Sequence, residues 1–173
     1  MAVKHLLDGG RRQIATIAGP QDMAAGADRL AGYRDQVAAA RHHDEMVEVA
    51  DFTLEGGRLA MERLLARAPA IDAVFVASDL MAIGALAALR AAGRAIPGDV
   101  AVVGFDDSPL AGTTQPPLSS VRQPIEEMGR EMTRLLVQEI RSPGGAPRRV
   151  ILETELVVRE SSGGAAGGGA AAK

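Results

Sequence analysis

The chain has 173 residues, a formal net charge of −3 and no cysteine, and 47% of its residues are hydrophobic. That length carries a sizeable single core, and the mildly acidic balance, with no run of more than two or three basic residues, excludes the electrostatic footprint of a nucleic-acid surface. Disulfides, thiolate metal sites and cysteine nucleophiles are excluded; the opening MAVKHLLDGGRR is too broken by Lys4, His5 and Asp8 for a secretory signal, no segment is long enough to span a membrane, and a soluble, cytoplasmic protein is expected.

Short aliphatic runs alternate with helical patterns along the chain. Val3 to Asp8 reads as a helix stopped by Gly9-Gly10, and Ile14 to Ala18 as a strand ending at Gly19-Pro20. Ala25 to about Arg41 is an amphipathic helix with Leu30, Tyr33 and Val37 on one face. Met46 to Ala50 follows as a strand, then Leu54 to Ala68 as a helix with Leu59, Leu64 and Leu65 expected inward. Ala73 to Ala77, with its Val-Phe-Val run, reads as a strand buried on both faces, and Ala101 to Phe105 repeats the pattern. Between them, Ser78-Asp79 and Gly93 bound a helix from about 79 to 92. After a loop from Ser108 to Pro117 come an extended piece at Leu118 to Gln123, an amphipathic helix at Ile125 to Ile140 and a terminal strand at Val150 to Val158. This order specifies an α/β fold with a doubly wound, mostly parallel sheet. The first helix has no strand before it, so the chain looks cut at its start, and SSGGAAGGGAAAK, Ser161 to Lys173, is expected to be a disordered tail.

From Leu80 through Leu89 the fourth helix carries no charged or strongly polar side chain on any face. A surface helix keeps a solvated stripe, so the face away from the sheet, which Ala82, Ile83 and Leu86 could share, needs a second apolar surface. Either another layer of the same chain or a subunit interface would supply it.

Ligands of open parallel sheets sit beyond the carboxyl ends of the strands. Those ends are Gly19 to Met23, Asp51-Phe52, Ser78-Asp79 and Phe105-Asp106-Asp107, with Arg29 in the early turns of the helix after the first strand. Carboxylates and a guanidinium pair with adjacent hydroxyls, and a ring offers an apolar face, so the set suits a sugar or nucleoside. Asp51, Ser78 and Asp79 have an alternative role as N-caps, and Arg29 as a solvated helix charge. His5, His42 and His43 have no nucleophile at triad-like positions and no metal-ligand spacing. They read as solvated, and no catalysis, metal or cofactor is expected.

Four segments, DRLAGYRDQV (28 to 37), VFVASDLMAIGALAALRAAGRAIPGDVAVVGFDD (74 to 107), PPLSSVRQPIEEMG (116 to 129) and ILETELVVRESS (151 to 162), closely resemble the LacI/GalR family of bacterial transcription regulators. The resemblance implies an effector-sensing domain of the periplasmic-binding-protein type, with two lobes hinged around a small ligand. It implies ligand contacts at Arg29, Phe52, Ser78, Asp106 and Gln123, and a homodimer using the helix that carries Leu80, Ile83 and Leu86. At Ser78 many members have Asn, and at Met23 purine-responsive members use arginine, which argues against a purine. The implied boundaries are a C-terminal lobe at 1–121, a crossover and first-lobe helix at 122–146, a returning strand at 147–160 and the tail beyond. The helix-turn-helix through which the family reads DNA has no counterpart in the sequence. Two other readings remain: a transport-type sugar-binding protein, which the missing signal sequence and the VVRESS ending oppose, and a non-functional fragment or dimerisation module.

Overall fold

The computed structural model describes residues 1–40, 45–142, 144 and 148–163; His42, His43 and the expected tail from 164 onward lie outside them. In chain order the elements are α1 (Ala2–Asp8), β1 (Ile14–Ala18), α2 (Ala24–Ala39), β2 (Met46–Val49), α3 (Leu54–Arg67), β3 (Ala73–Val76), α4 (Asp79–Ala91), β4 (Ala101–Asp106), β5 (Ser119–Arg122), α5 (Ile125–Arg141) and β6 (Glu155–Val157). They form one sheet in the order β2-β1-β3-β4-β5-β6, parallel throughout except for β6, which runs antiparallel to β5.

Side chains of the central strands alternate between two cores, as the period of two requires. Ala15 and Ile17, Val74 and Val76, and Val102 face α3 and α4; Ile14 and Ala18, Ala73 and Phe75, and Ala101 and Val103 face α1 and α2. Leu30, Tyr33 and Val37 bury the expected face of α2, and the Tyr33 hydroxyl donates to the Ile14 carbonyl at 2.8 Å.

The uncharged character of α4 comes from contact on two sides. Met81, Ala82, Ala85, Leu86 and Leu89 all belong to the core between the sheet and α3. The two helices touch backbone to backbone: a Cβ at Gly57 would strike the Met81 carbonyl, and one at Gly84 would strike that of Leu54. The expectation for Leu86 is therefore corrected. At 0% exposure it faces inward, because it lies one turn from Ala82 on the buried stripe, whereas the open stripe is Leu80, Ile83, Ala87 and Arg90, at spacings of three, four and three. Leu59 is corrected the other way. It is exposed, and the inward stripe of α3 is Gly57, Ala60, Met61 and Leu64.

The last quarter differs most from the sequence reading. α5 is amphipathic, yet none of its residues is buried; Met132 and Ile140 are 68% and 69% exposed. The terminal strand is shorter than Val150 to Val158, since β5 ends at Arg122, which pairs with Glu155, and no strand among the described residues pairs with the residues before it. The tail, by contrast, starts later than Ser161. Ser161 is fully buried; its hydroxyl donates to the Val102 carbonyl at 2.7 Å and accepts from the Ser119 N–H at 2.8 Å. Ser162 bonds His5 Nε2 at 2.8 Å and Ser119 Oγ at 2.7 Å, so His5 is not a solvated histidine.

Candidate functional site

The carboxyl edge of the sheet is built from loops in uncommon backbone conformations. Phe52, between β2 and α3, has φ 65°, and Asp106 and Asp107, at the end of β4, have φ 115° and 52°. Such angles cost a non-glycine residue free energy and persist only where the surroundings impose them. Gly19 makes room for the Phe52 ring, since any side chain there would meet it. The neighbouring Asp51 does not cap α3. Thr53 does, accepting from the Gly56 N–H at 2.9 Å, while the Asp51 carboxylate accepts from the Thr53 hydroxyl at 2.6 Å and is held below the usual carboxylate range by those bonds.

Arg29, in the second turn of α2, reaches the centre of this edge. Its Nη1 donates to the Ala77 carbonyl at 2.5 Å, directly after β3. Its guanidinium carbon stands 3.9 Å from the centre of the Phe105 ring and 5.9 Å from that of Phe52. Nη2 is 3.6 Å from Asp106 Oδ1, close enough for charge attraction without a hydrogen bond. That oxygen instead accepts from Gln123 Nε2 at 2.7 Å. Only 14% of the Arg29 side chain is exposed, and Nε has no acceptor among the described residues, so the group retains donors for a ligand. Burial lowers the Arg29 pKa against the opposing pull of Asp106 and Asp79. Burial likewise raises Asp106, against the charge of Arg29 and the Gln123 hydrogen bond.

Of the five residues expected at a ligand, four converge: Arg29, Phe52, Asp106 and Gln123. Ser78 lies on the same edge beside Ala77, but it is buried and its hydroxyl caps α4, accepting from the Met81 N–H at 3.3 Å. Asp79 is neither cap nor ligand group. Its carboxylate accepts from Ser120 Oγ at 2.6 Å and from the Ser108 N–H at 2.7 Å, tying the start of α4 to β5 and to the turn after Asp107. Asp107 is held between two arginines, with Arg122 Nε and Arg159 Nη2 each at 2.7 Å.

Two residues were given no role in sequence. Phe105 stands with Asp106 among the strand ends expected at the ligand edge, but the only ring expected to face a ligand there is Phe52, whereas in the structure the Phe105 ring lies under Arg29. Arg159, in the VVRESS run, donates from Nη1 to the Leu118 carbonyl at 2.7 Å and exchanges backbone bonds with Ser119 Oγ. A recess of about 440 Å³ flanks Arg29 on the α1–α2 side, lined in part by Tyr33, Phe75, Phe105, Gln123 and Thr154.

A parallel sheet with helices on both faces and charged, amide and aromatic groups at its carboxyl edge has the architecture of small-ligand-binding α/β lobes. The chain belongs to the periplasmic binding protein-like domain family, which it matches over residues 3–162. Among curated relatives, the HTH-type transcriptional regulator CelR of Thermobifida fusca is 56% identical over 162 residues, covering 92% of this chain and 48% of that protein. The ribose operon repressor of Haemophilus influenzae is 36% identical, covering 93% and 49%. Among solved structures, a complex of the regulator CelR with cellobiose matches at TM-score 0.89 and 55% identity over 91% of this chain and 49% of that one. A lac repressor dimer bound to operator matches at TM-score 0.85 and 28% identity, covering 93% and 48%. The chain thus spans about half the length of the curated relatives it matches. These relatives carry names of transcription regulators, not of enzymes. Among the described residues, no helix is long and apolar enough to cross a membrane.

Proposed function

We propose that the chain is the C-terminal part of the effector-sensing domain of a cytoplasmic, sugar-responsive LacI-family regulator, non-enzymatic, with cello-oligosaccharides as the effector class. The carrying observation is the convergence of Arg29, Phe52, Asp106 and Gln123 on one edge, in a chain 55% identical to a regulator solved with cellobiose. Guanidinium, carboxylate and carboxamide pair with vicinal hydroxyls, while Phe52 offers a platform to a pyranose face. A ligand then shifts the populations of two lobe arrangements. Residues 1–121 form one lobe in this reading, and α5 belongs against the other, which its uncovered apolar side supports. DNA is reached only through a domain outside this sequence.

A second copy of the chain is the proposed partner for the open stripe of α4, Leu80 and Ile83. Leu80 is 43% exposed on a helix with no charge between Asp79 and Arg90.

Titration of the isotope-labelled chain with cellobiose, followed by resonance shifts, tests the effector assignment. One lobe cannot enclose a disaccharide, so affinity weaker than millimolar is expected, with shifts centred on Arg29, Phe52 and Gln123 and abolished by Arg29→Ala or Asp106→Ala. Equal shifts with maltose, or shifts that survive both substitutions, would reject it.

A further inference from the structure

We propose that Phe105 is the positioning residue of this site: its ring holds the Arg29 guanidinium in a plane that keeps it from closing onto Asp106, so that both charged groups stay available to ligand hydroxyls. The inference rests on the effector reading above and concerns how that site is kept open.

Arg29 and Asp106 are opposite charges, the first mostly buried and the second about one-third exposed, and at this separation a guanidinium and a carboxylate normally close to a bonded pair. Here they stand at 3.6 Å, too far for a hydrogen bond. Two contacts account for the gap. Phe105, immediately before Asp106, lies under the guanidinium at 3.9 Å, a distance at which the cation rests on the negative face of the ring. The Ala77 carbonyl accepts from Nη1 at 2.5 Å. Stacking fixes the plane of the group but leaves rotation within that plane, and the carbonyl stops that rotation. Asp106 is held apart from its side by Gln123 at 2.7 Å. The bland alternative is that Phe105 only fills space, since it also packs on the α1–α2 core with Val103 and Val121. A space-filling role needs volume and no aromatic face, so an aliphatic replacement separates the two roles.

The test follows the Arg29 side-chain NMR signals in the 173-residue chain, first without sugar. In the unmutated protein the Arg29 Hδ and Hε protons are expected upfield, in the shielding cone of the Phe105 ring. In Phe105→Leu that displacement is lost, and rotation about the guanidinium bonds slows as Arg29 closes onto Asp106; Phe105→Tyr keeps the ring and restores both signals. The cellobiose dissociation constant then rises about tenfold in Phe105→Leu, within the strength of a partly buried cation–π contact, and recovers in Phe105→Tyr. An unmutated chain whose Arg29 protons show no ring shift overturns the proposal whether or not Phe105→Leu folds. So does a Phe105→Leu variant whose guanidinium rotation is not slowed, or one whose cellobiose affinity is unchanged. If the Arg29 signature is present and cellobiose does not bind, positioning stands and the sugar assignment fails.

Discussion

Asp79 shows how one buried carboxylate can hold several elements at once. It is 1% exposed, and it sits so close to Gly104 that a side chain there would collide with Oδ1. Burial, with some help from the charge of Asp106, raises its pKa, while the Ser120 and Ser108 bonds pull it back. A raised folded pKa means that the unfolded chain gives up this proton first. Stability is therefore lost as pH climbs from the ordinary carboxylate value through the raised one, and the loss is complete above it. Asp79→Asn removes that ionisation and keeps an acceptor for one partner. The difference in unfolding free energy between Asp79→Asn and the unmutated chain should therefore favour the variant more at pH 7 than at pH 3, as read by urea denaturation. Comparing variant with parent at each pH cancels most of the contribution of Asp106, which is also raised by burial. A difference independent of pH would show that Asp79 is ionised at no cost.

For elements, α4 offers the sharpest test, because its two stripes make opposite predictions. Ile83→Asp puts a charge on the open stripe and is expected to leave the fold cooperative while turning a dimer into a monomer. Leu86→Ala opens a cavity in the core between the sheet and α3 and should cost about 2–5 kcal/mol of stability with no selective effect on association. Sedimentation and thermal unfolding of both variants decide it; an unmutated chain that sediments as a well-behaved monomer sinks the interface. The same helix shows what could be read from sequence. Its bounds and apolar character were legible, since Ser78 caps one end and Gly93, with φ 69°, follows the other. Which side faced inward was not. With alanine and glycine at so many positions, periodicity carries little contrast, and the inward side is decided by backbone contacts between the two helices, Gly57 against Met81 and Gly84 against Leu54. Leu59 was misplaced for the same reason.

At the scale of the whole molecule, the parallel strands, edge strand β2 included, were readable, and the antiparallel strand at the other end of the sheet was not. β-propensity is realised only where a neighbour supplies hydrogen bonds, so Val150 and Ile151 remain outside the sheet although their side chains suit a strand. Conversely, Ser161 looks in sequence like the first residue of a low-complexity run, and only its partners Val102 and Ser119, more than 40 positions away, make it core. The site follows the same rule. Arg29, Phe52 and Asp106 were visible at strand ends, while the roles of Asp79, Phe105 and Arg159 depend on contacts across the fold. Ser161→Ala removes the hydroxyl without adding an atom and leaves the Ser119 N–H unpaired in a dry place, and we expect a loss of about 2 kcal/mol or more in urea unfolding. Unchanged stability would mean that the C-terminal segment is bound by its strand alone.

The pairing of β5 with β6 also has a mechanical consequence. The chain leaves the sheet at Gln123 and returns at Thr154, so everything between hangs from two adjacent antiparallel strands. Tension on α5 loads those bonds one at a time, as a zipper is opened. The outermost are the weakest, where Arg122 and exposed Glu155 meet at 3.4 Å. Further in, Arg159 is fastened to Leu118 and Asp107, and Ser161 to Ser119 and Val102. A pull strong enough to part the first pair meets a stop there, so swinging of α5 can be absorbed by fraying of a residue or two while the remaining sheet keeps its register.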